Sequence, residues 1–349
     1  MRHAIGLFAV LTISSIALAG DGKFAKPPQT KPAKPATLSA RTTFGEPIQV
    51  ESLTLTPIIA KEAGSADNLL VLDEAMPKKL VRIHEVDGGD VNNLRLTNRS
   101  DQPLFLLAGE VIIGGKQDRI IGSNTIVPPK KTQDVPVFCV EHGRWDNSSK
   151  EFTTANALAH GRLRGSANFD TQSDVWKEVA SKNELRKTKT STDTYRNVAA
   201  QQANGTLGTW EKQVNTALAK LPADSKGKLV GFAVAVNGKV ASVDVFDNPV
   251  LFKKLQSKLV RSYITEAIDV KADKTATAPT SADVDAFIAD AEKAAEQNAF
   301  ETDLASSSIQ KGEKAAKARV MYKPAKKAAG DPTVAAPPAA AVYESYQAR

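Results

Sequence analysis

Two segments of the chain, AGEVIIGGKQDR and VFCVEHGRW, place ionisable side chains at the end of an apolar run. Their side chains include two glutamates, a thiol, two guanidinium groups, an amide and an indole. Acid–base, nucleophilic and anion-binding sites are built from these residue types. We therefore predict one polar site in which both segments meet. Its seven candidate residues are Glu110, Gln117, Arg119, Cys139, Glu141, Arg144 and Trp145.

Three of these residues are candidates for catalysis. Glu110 and Glu141 suit an acid–base pair in a hydrolase-like reaction on an anionic or polyol substrate. Cys139, the only cysteine, is a nucleophile when its thiol is ionised. Alternate strand residues share a face, however, so the carboxylate of Glu141 would raise the pKa of the thiol. Burial as a small apolar group is the alternative for Cys139.

The other four candidates are binding residues. Arg119 and Arg144 suit bidentate recognition of an anionic group, and Gln117 supplies an amide. Trp145 either stacks on a ligand ring or closes a core. The structural alternative for the whole set is that buried Glu–Arg pairs fix the ends of strands and bind no ligand. The sequence leaves these alternatives open.

Phosphate-loop and metal chemistries are not supported by the sequence. The GEVIIGGK segment departs from a phosphate-binding loop because an extra glycine precedes the lysine, Gln117 replaces the hydroxyl residue and no helix pattern follows. His84, His142 and His160 lack the spacing of a metal site. We therefore predict no metal and no cofactor.

The strands that position the two segments are predicted from short apolar runs between about residues 45 and 145, which Gly, Asn, Asp and Pro separate. Within them, Leu104 and Leu106 alternate with Phe105 and Leu107. This alternation is typical of antiparallel strands with one covered face. The predicted strands are residues 48–55, 79–86, 91–97, 103–113, 119–127 and 134–140.

The second half of the chain predicts helices and a hairpin. Asn237-Gly238 lies between two β-rich runs, which predicts a tight hairpin because both residues need positive φ. Asn248 suits the N-cap of the helix that follows, with Pro249 at its first position. Other helices are predicted from apolar spacing around Val175 and over residues 195–202, 207–221 and 281–300, and a last strand over residues 342–346. The predicted fold is α+β, an antiparallel, sandwich-like β-rich core covered by several helices, with a C-terminal β-hairpin/helix unit.

Four segments resemble one known family. AGEVIIGGKQDRII, CVEHGRW, VLDEAM and VDVFDNPVLFKKLQSKLVRSYITEAI are similar to the ARG and Rhodanese-Phosphatase-superfamily-associated domain of prokaryotic proteins. The resemblance runs from about residue 45 to the C-terminus, and GGKQDR and CVE-x-GRW are its most specific parts. It implies an α+β domain with a site at these two segments, and it brings no activity with it.

The N-terminus predicts export. Residues 1–19 combine a basic start, an apolar run and a small-x-small triplet, which is the layout of a secretory signal peptide. The run is too short for a spanning helix, so the mature chain is predicted to have no transmembrane segment and to be periplasmic or extracellular. Residues 20–42 predict a Pro- and Lys-rich linker. Residues 43–349 then form a single α+β domain with a low-complexity, Lys- and Ala-rich stretch at 311–341.

The formal net charge of +7 does not indicate a nucleic-acid partner. Residues 21–36 and 311–327 carry net charges of +3 and +6, so the rest of the mature chain is slightly acidic. We interpret the basic residues as belonging to solvated extensions and loops.

Two functions compete on these observations. One is an extracytoplasmic ligand-binding or interaction domain for a small-molecule or envelope ligand. The other is a hydrolase-like enzyme that uses Glu110 and Glu141 or Cys139. The first is favoured because no decisive catalytic signature is present, and the sequence indicates no oligomeric state.

Overall fold

The computed structural model describes residues 38–62, 64, 68–86, 89–146, 149, 151–323 and 341–349. The predicted signal peptide and residues 20–37 of the predicted linker lie outside the described residues. The last linker residues belong to the folded domain, because Leu38–Arg41 is a short helix with Leu38 buried and a strand follows at once.

The described residues form seventeen strands and nine helices, which confirms the α+β class with a β-rich core. The strands are β1 Thr42–Phe44, β2 Ile48–Val50, β3 Leu53–Ala60, β4 Val81–Glu85, β5 Asn93–Asn98, β6 Leu104–Leu106, β7 Glu110–Gly114, β8 Arg119–Ile121, β9 Thr125–Val127, β10 Thr132–Cys139, β11 Phe152–Leu158, β12 Leu229–Val236, β13 Lys239–Phe246, β14 Gln297–Glu301, β15 Ala305–Lys311, β16 Ala315–Tyr322 and β17 Ala341–Ala348. The helices are α1 Leu38–Arg41, α2 Leu72–Ala75, α3 Gly161–Phe169, α4 Gln172–Arg186, α5 Arg196–Gln201, α6 Gly205–Leu218, α7 Ala223–Gly227, α8 Pro249–Ala267 and α9 Ser281–Glu292.

The larger sheet is antiparallel and has the strand order β1-β3-β12-β13-β17-β16-β15-β14, with β2 also paired to β3. Its centre is the predicted hairpin, in which Asn237 and Gly238 have φ of 46° and 75°. The predicted cap is also confirmed, since the Asn248 side chain accepts hydrogen bonds from the Val250 and Leu251 amides at the start of α8. α8 packs on this sheet and buries an apolar stripe that includes Leu255 and Leu259.

The smaller sheet curls toward a closed barrel. Its antiparallel order is β11-β7-β8-β10-β5-β4, and a bridge between His84 and Glu151 joins the two edge strands. The β6–β9 pair forms a separate two-stranded sheet. One face of the six strands encloses an apolar core that includes Ile83, Ile112 and Val137. This enclosed face is called the barrel interior below.

Several predicted strands are each divided in two. Residues 103–113 form β6 and β7, which belong to different sheets, because Gly109 has a φ of 90° and turns the chain between them. Residues 119–127 likewise form β8 and β9, and residues 48–55 are broken at Glu51, whose φ is 49°. Continuous apolar character does not reveal a change of sheet, since both halves are buried.

The C-terminal region also differs from the prediction. The helix predicted over residues 281–300 ends at Glu292, and the chain then forms the edge strand β14. Within the predicted low-complexity stretch, residues 315–322 form β16, an inner strand of the larger sheet. The interpretation of its basic residues as solvated is wrong for Lys317, which is buried and forms ion pairs of 2.7 Å with Glu292 and Glu344. The predicted last strand is confirmed as β17.

Candidate functional site

One end of the barrel brings together the two segments that the sequence singled out. Arg119 begins β8, Cys139 ends β10, and the two residues are cross-strand partners. Both face the barrel interior, because Arg119 also pairs with Ile112, and Cys139 follows Val137 by two residues. The Cys139 amide and carbonyl are both bonded to the Gln172 side chain at 2.8 Å rather than to β8. Their pairing is therefore of the non-hydrogen-bonded kind, in which side chains lie closest. This end is called the barrel mouth below.

The Arg119 guanidinium is fully buried at the barrel mouth, with 0% of the residue exposed. Its Nη1 donates to the Gln117 side-chain oxygen at 3.2 Å and to the Asp118 carbonyl at 3.5 Å. Its Nε and Nη2 are buried and have no acceptor among the described residues. A buried cation without a counter-charge is costly, since desolvation is compensated only by an opposite charge or by hydrogen bonds.

The Cys139 thiol lies beside Arg119 and is buried, as the structural alternative for this residue expected. Its Sγ is 3.8 Å from the Val91 carbonyl oxygen. Burial raises the pKa of the thiol, the Arg119 charge opposes that shift, and the carboxylate of Glu85 adds to it. The thiol is therefore held in its protonated form, which is a poor nucleophile.

Glu85 is a site residue that lies outside the two segments from which the site is predicted. It ends β4 and continues the inward alternation of Val81 and Ile83, so it faces the barrel interior. Its Oε1 accepts a hydrogen bond from the Lys116 amide at 2.7 Å. Its Oε2 is buried and has no donor among the described residues. The signal that identifies Glu85 is an acid at an apolar position of a period-two pattern.

A tight turn and an indole cover the barrel mouth. Gly114 and Gly115 have positive φ, and a Cβ on Gly115 would lie 2.6 Å from the Glu85 Oε1. These two glycines therefore let the β7–β8 connection close over the carboxylate. Beyond the turn, the Lys116 ammonium lies 4.8 Å and the Arg119 guanidinium carbon 6.0 Å from the centroid of the Trp145 ring. Trp145 is half exposed and Arg119 is fully buried, so the indole is the solvent-facing member of this contact.

Asp118 organises the polar groups that flank the mouth. Its fully buried carboxylate accepts hydrogen bonds from Arg196 at 2.7 and 2.9 Å and from Thr194 at 2.8 Å. The Asp118 amide donates to Glu141 at 3.0 Å, and Arg144 donates to the same Glu141 oxygen at 2.9 Å. Glu141 follows the end of β10, so strand alternation does not fix its direction. Both Glu141 and Arg144 are committed to holding the loop that carries Trp145.

Glu110 lies at the opposite end of β7 from the Gly114–Gly115 turn. Its carboxylate forms an ion pair with the buried Lys258 of α8 and accepts a hydrogen bond from the Leu107 amide at 2.9 Å. Lys258 also pairs with Asp73 at 2.7 Å. Burial raises the pKa of Glu110, and the Lys258 charge opposes that shift. The structure therefore places six of the seven predicted residues at or beside the barrel mouth and places Glu110 in a separate buried ion cluster.

The comparison with known families matches the part of the chain that carries this architecture. The model of the ARG and Rhodanese-Phosphatase-superfamily-associated Protein domain matches residues 41–329. The chain belongs to this family. The matched region includes both site segments and most of the two large sheets. No curated protein and no solved structure was found to match.

Two large cavities of the family domain lie away from the barrel mouth. One, of about 740 Å³, lies between α3, α8 and the β12–β13 hairpin, and Arg162, Glu178 and Glu266 line it. The other, of about 730 Å³, lies beside β4 and β11. None of the seven predicted residues lines either cavity. Within the described ranges, no cluster of three His, Cys, Asp or Glu side chains is arranged to hold a metal, and every helix is too short or too polar to span a bilayer.

His160 is a buried histidine of the family domain that gives a pH-dependent stability. Its Nδ1 is 2.9 Å from the Tyr195 hydroxyl, and its Nε2 is 3.8 Å from a Glu178 carboxylate oxygen. Burial lowers the pKa of His160, and the bond to Glu178 opposes that shift without reversing it. The folded state therefore prefers the neutral imidazole, and the unfolded state binds the extra proton.

We expect the free energy of unfolding to fall as the pH drops below about 6.5, the unperturbed histidine value, by up to about 1.4 kcal/mol per pH unit from this group. The His160→Gln variant should lose this part of the dependence. Urea unfolding between about pH 5 and pH 7.5 measures it, over a range in which ordinary carboxylates stay mostly ionised. The control is His142→Gln, because His142 is exposed. If the free energy of unfolding of His160→Gln depends on pH as steeply as that of the wild type, His160 is not the source of the dependence.

Proposed function

We propose that this chain is an exported ligand-binding protein that holds a small molecule with a carboxylate or phosphate group at the barrel mouth. The observation that carries the proposal is the Arg119 guanidinium, which is fully buried and whose Nε and Nη2 find no acceptor among the described residues. These two nitrogens form one edge of the guanidinium fork. That edge binds carboxylate and phosphate oxygens in a bidentate manner.

The fixed orientation of Arg119 supports a binding role. Gln117 and the Asp118 carbonyl hold Nη1, which leaves the opposite edge of the fork available. A guanidinium that is already oriented loses little side-chain entropy when an anion binds. Small ligands commonly enter the mouth of a β-barrel, where apolar walls surround a few polar groups.

The position of Trp145 supplies a route for the ligand. The half-exposed Trp145 indole lies beside the buried Arg119 guanidinium, and the Lys116 ammonium lies over the same ring. Movement of these two side chains, rather than of a strand, is the proposed entry for the ligand. The indole then contacts whatever enters, as aromatic walls of binding sites do.

The hydrolase-like alternative has less support from the geometry. An acid–base pair needs two carboxyl groups that reach one substrate, whereas Glu110 pairs with Lys258 and Glu141 pairs with Arg144 at different places. A thiol nucleophile needs a lowered pKa, whereas the pKa of Cys139 is raised by burial. The observed arrangement of these groups therefore supports ligand binding better than it supports catalysis.

The proposal of export rests on the first 19 residues. One measurement tests both the cleavage of these residues and the presence of a bound ligand. Native mass spectrometry of the protein isolated from its own cells should give the mass of a chain that begins at Gly20, with a small carboxylate- or phosphate-bearing molecule retained. A mass that includes residues 1–19 would contradict cleavage of a signal peptide.

The Arg119→Met variant is expected to lose binding while it keeps its stability. Charge-assisted hydrogen bonds contribute about 1.5–3 kcal/mol each, so affinity should fall roughly 10- to 100-fold or more. The free energy of unfolding should fall by less than about 1 kcal/mol, because two unsatisfied buried donors are removed with the guanidinium. Calorimetric titration with acetate, propionate and inorganic phosphate, and urea unfolding, measure the two effects.

Arg95→Met is the matched control for this variant, because Arg95 pairs with Asp134 at 2.8 Å away from the barrel mouth. We expect it to bind the three anions as the wild type does. Two outcomes would overturn the proposal: equal affinity in Arg119→Met and the wild type, or no detectable affinity of the wild type for any of the three anions together with no retained molecule.

A further inference from the structure

Two opposite charges at the barrel mouth each present an unpartnered polar edge. Arg119 offers Nε and Nη2, and Glu85 offers Oε2; all three atoms are buried, and none has a hydrogen-bond partner among the described residues. Both side chains extend the inward alternation of their strands. Both charges also act on the Cys139 thiol, in opposite directions, so both lie close to that group.

The two charges do not neutralise each other directly, because each is held by other bonds. Gln117 fixes the Arg119 fork at 3.2 Å. The Lys116 amide fixes the Glu85 carboxylate at 2.7 Å, at the point where the Gly114–Gly115 turn closes over it. Opposite charges in an apolar enclosure attract strongly. Because Arg119 and Glu85 do not form an ion pair with each other, they suit a ligand that binds between them.

We infer that the ligand of this site is a zwitterion that carries a carboxylate and an ammonium group on neighbouring carbons or on one carbon, as a free α-amino acid does. The inference rests on the proposed function, since the carboxylate of the ligand takes the free edge of Arg119. The ammonium then donates to Glu85 Oε2.

The charge balance favours a zwitterion over a simple anion. Arg119 and Glu85 together have no net charge, so a bound anion would leave the Glu85 carboxylate uncompensated in a buried place. A ligand hydroxyl in place of the ammonium would donate a hydrogen bond to Glu85 Oε2 but would not neutralise the charge of the carboxylate. The neighbouring cation, Lys116, does not serve Glu85 with its ammonium, which lies over the Trp145 ring.

The close packing of the Gly114–Gly115 turn favours a small molecule. A Cβ on Gly115 would meet both the Phe152 ring and Glu85, so the turn lies directly on these side chains. The side group of the ligand therefore points toward Trp145 and solvent rather than into the barrel. Trp145 fluorescence is expected to change on binding, and Trp145→Phe is the control that identifies the signal among the three tryptophans of the chain.

The test compares molecules that differ by one charged group. L-alanine carries both groups, propionate lacks the ammonium, and ethylamine lacks the carboxylate; glycine, acetate and methylamine form a second set. L-alanine or glycine is expected to bind the full-length mature protein at least about tenfold more tightly than its matched acid, and the amines should not bind. Glu85→Gln keeps the shape and the acceptor for the Lys116 amide. It should remove this tenfold advantage and leave the affinity for propionate and acetate unchanged or improved.

The outcomes separate the two proposals. If the acids bind through Arg119 as tightly as the amino acids, and Glu85→Gln changes neither, the zwitterion inference is overturned and the binding function stands. If amino acids and acids bind the wild type and Arg119→Met equally, both proposals fail. If none of these molecules binds, the zwitterion inference fails, and the binding function also fails when inorganic phosphate does not bind and no molecule is retained. Urea unfolding of Glu85→Gln shows that a lost advantage does not come from a misfolded variant.

Discussion

Replacing Asp244 by asparagine is expected to lower the free energy of unfolding by about 3–5 kcal/mol. Asp244 is fully buried on β13 and accepts two hydrogen bonds from Arg164 of α3, at 2.8 and 3.0 Å. Tyr263 donates to it at 2.7 Å, and Tyr343 also donates to it. Burial would raise the pKa of Asp244, but Arg164 and the two hydroxyls outweigh burial and lower it. Asparagine preserves the shape and leaves the buried Arg164 cation without a counter-ion.

Equilibrium unfolding in urea measures this loss. The matched control is Asp134→Asn, whose partner Arg95 is partly exposed, and a surface pair of this kind contributes about 0–1 kcal/mol. The double variant Arg164→Met, Asp244→Asn should recover part of the stability, because it removes the uncompensated cation. An Asp244→Asn variant as stable as Asp134→Asn would show that the pair does not hold α3 to the larger sheet.

Local chemistry explains which parts of this fold the sequence predicts. The Asn237-Gly238 hairpin and the Asn248 cap depend on backbone angles and hydrogen bonds within a few residues. Their residues therefore carry the necessary information. The divided strands were not predicted, because a turn such as Gly109 lies inside a run that is apolar on both sides. A Cβ at Gly109 would lie 2.6 Å from Arg164, and that reason for glycine is visible only in the fold.

The buried ion pairs show what a single sequence conceals. Asp244 lies between Val243 and Val245, and Lys258 precedes Leu259 on an apolar stripe, so each charge is recognisable as one that needs a partner. The partners are Arg164, 80 residues away, and Glu110, 148 residues from Lys258. Periodicity places a residue on a face, but it does not say which distant face it meets.

The barrel mouth was predicted in part for the same reason. Arg119 and Cys139 each lie at the end of an apolar strand, and the expectation that these ends meet agrees with their cross-strand pairing. Glu110 belongs to the same segment as Arg119, yet it begins the strand that Gly114 ends. The segment of Glu85, VRIHE, contains no distinctive motif that predicts a site. Its inward position follows from the alternation of β4.

Asp118→Asn is expected to remove both stability and ligand binding. Its carboxylate is fully buried and accepts hydrogen bonds from Arg196, Thr194 and the Gly114 amide, the last at 3.1 Å. Arg144 is a further donor at 3.4 Å. Loss of the negative charge leaves these donors facing a neutral amide, and we expect the free energy of unfolding to fall by on the order of 3 kcal/mol. The loss is not larger because both arginines retain some access to water.

The loss of binding follows from the place of Asp118 in the chain. It stands between Gln117 and Arg119 and ties their turn to α5 through Arg196 and to the Trp145 loop through Arg144. Without it, the Arg119 fork is no longer held at the angle that receives a carboxylate, and a misplacement of about 1 Å is enough to weaken a pre-organised site. Urea unfolding and calorimetric titration with L-alanine and propionate measure the two effects on the same preparation.

Asp146→Asn is the matched control for Asp118→Asn, because Asp146 also accepts from Arg144, at 3.3 Å, but is exposed. It should change stability by less than about 1 kcal/mol and leave binding intact. The comparison with Arg119→Met then separates the roles of two adjacent residues, Asp118 and Arg119. Asp118→Asn should lose stability and binding together, whereas Arg119→Met should lose binding alone. If Asp118→Asn loses stability but binds L-alanine as tightly as the wild type, Asp118 supports the fold and does not position Arg119.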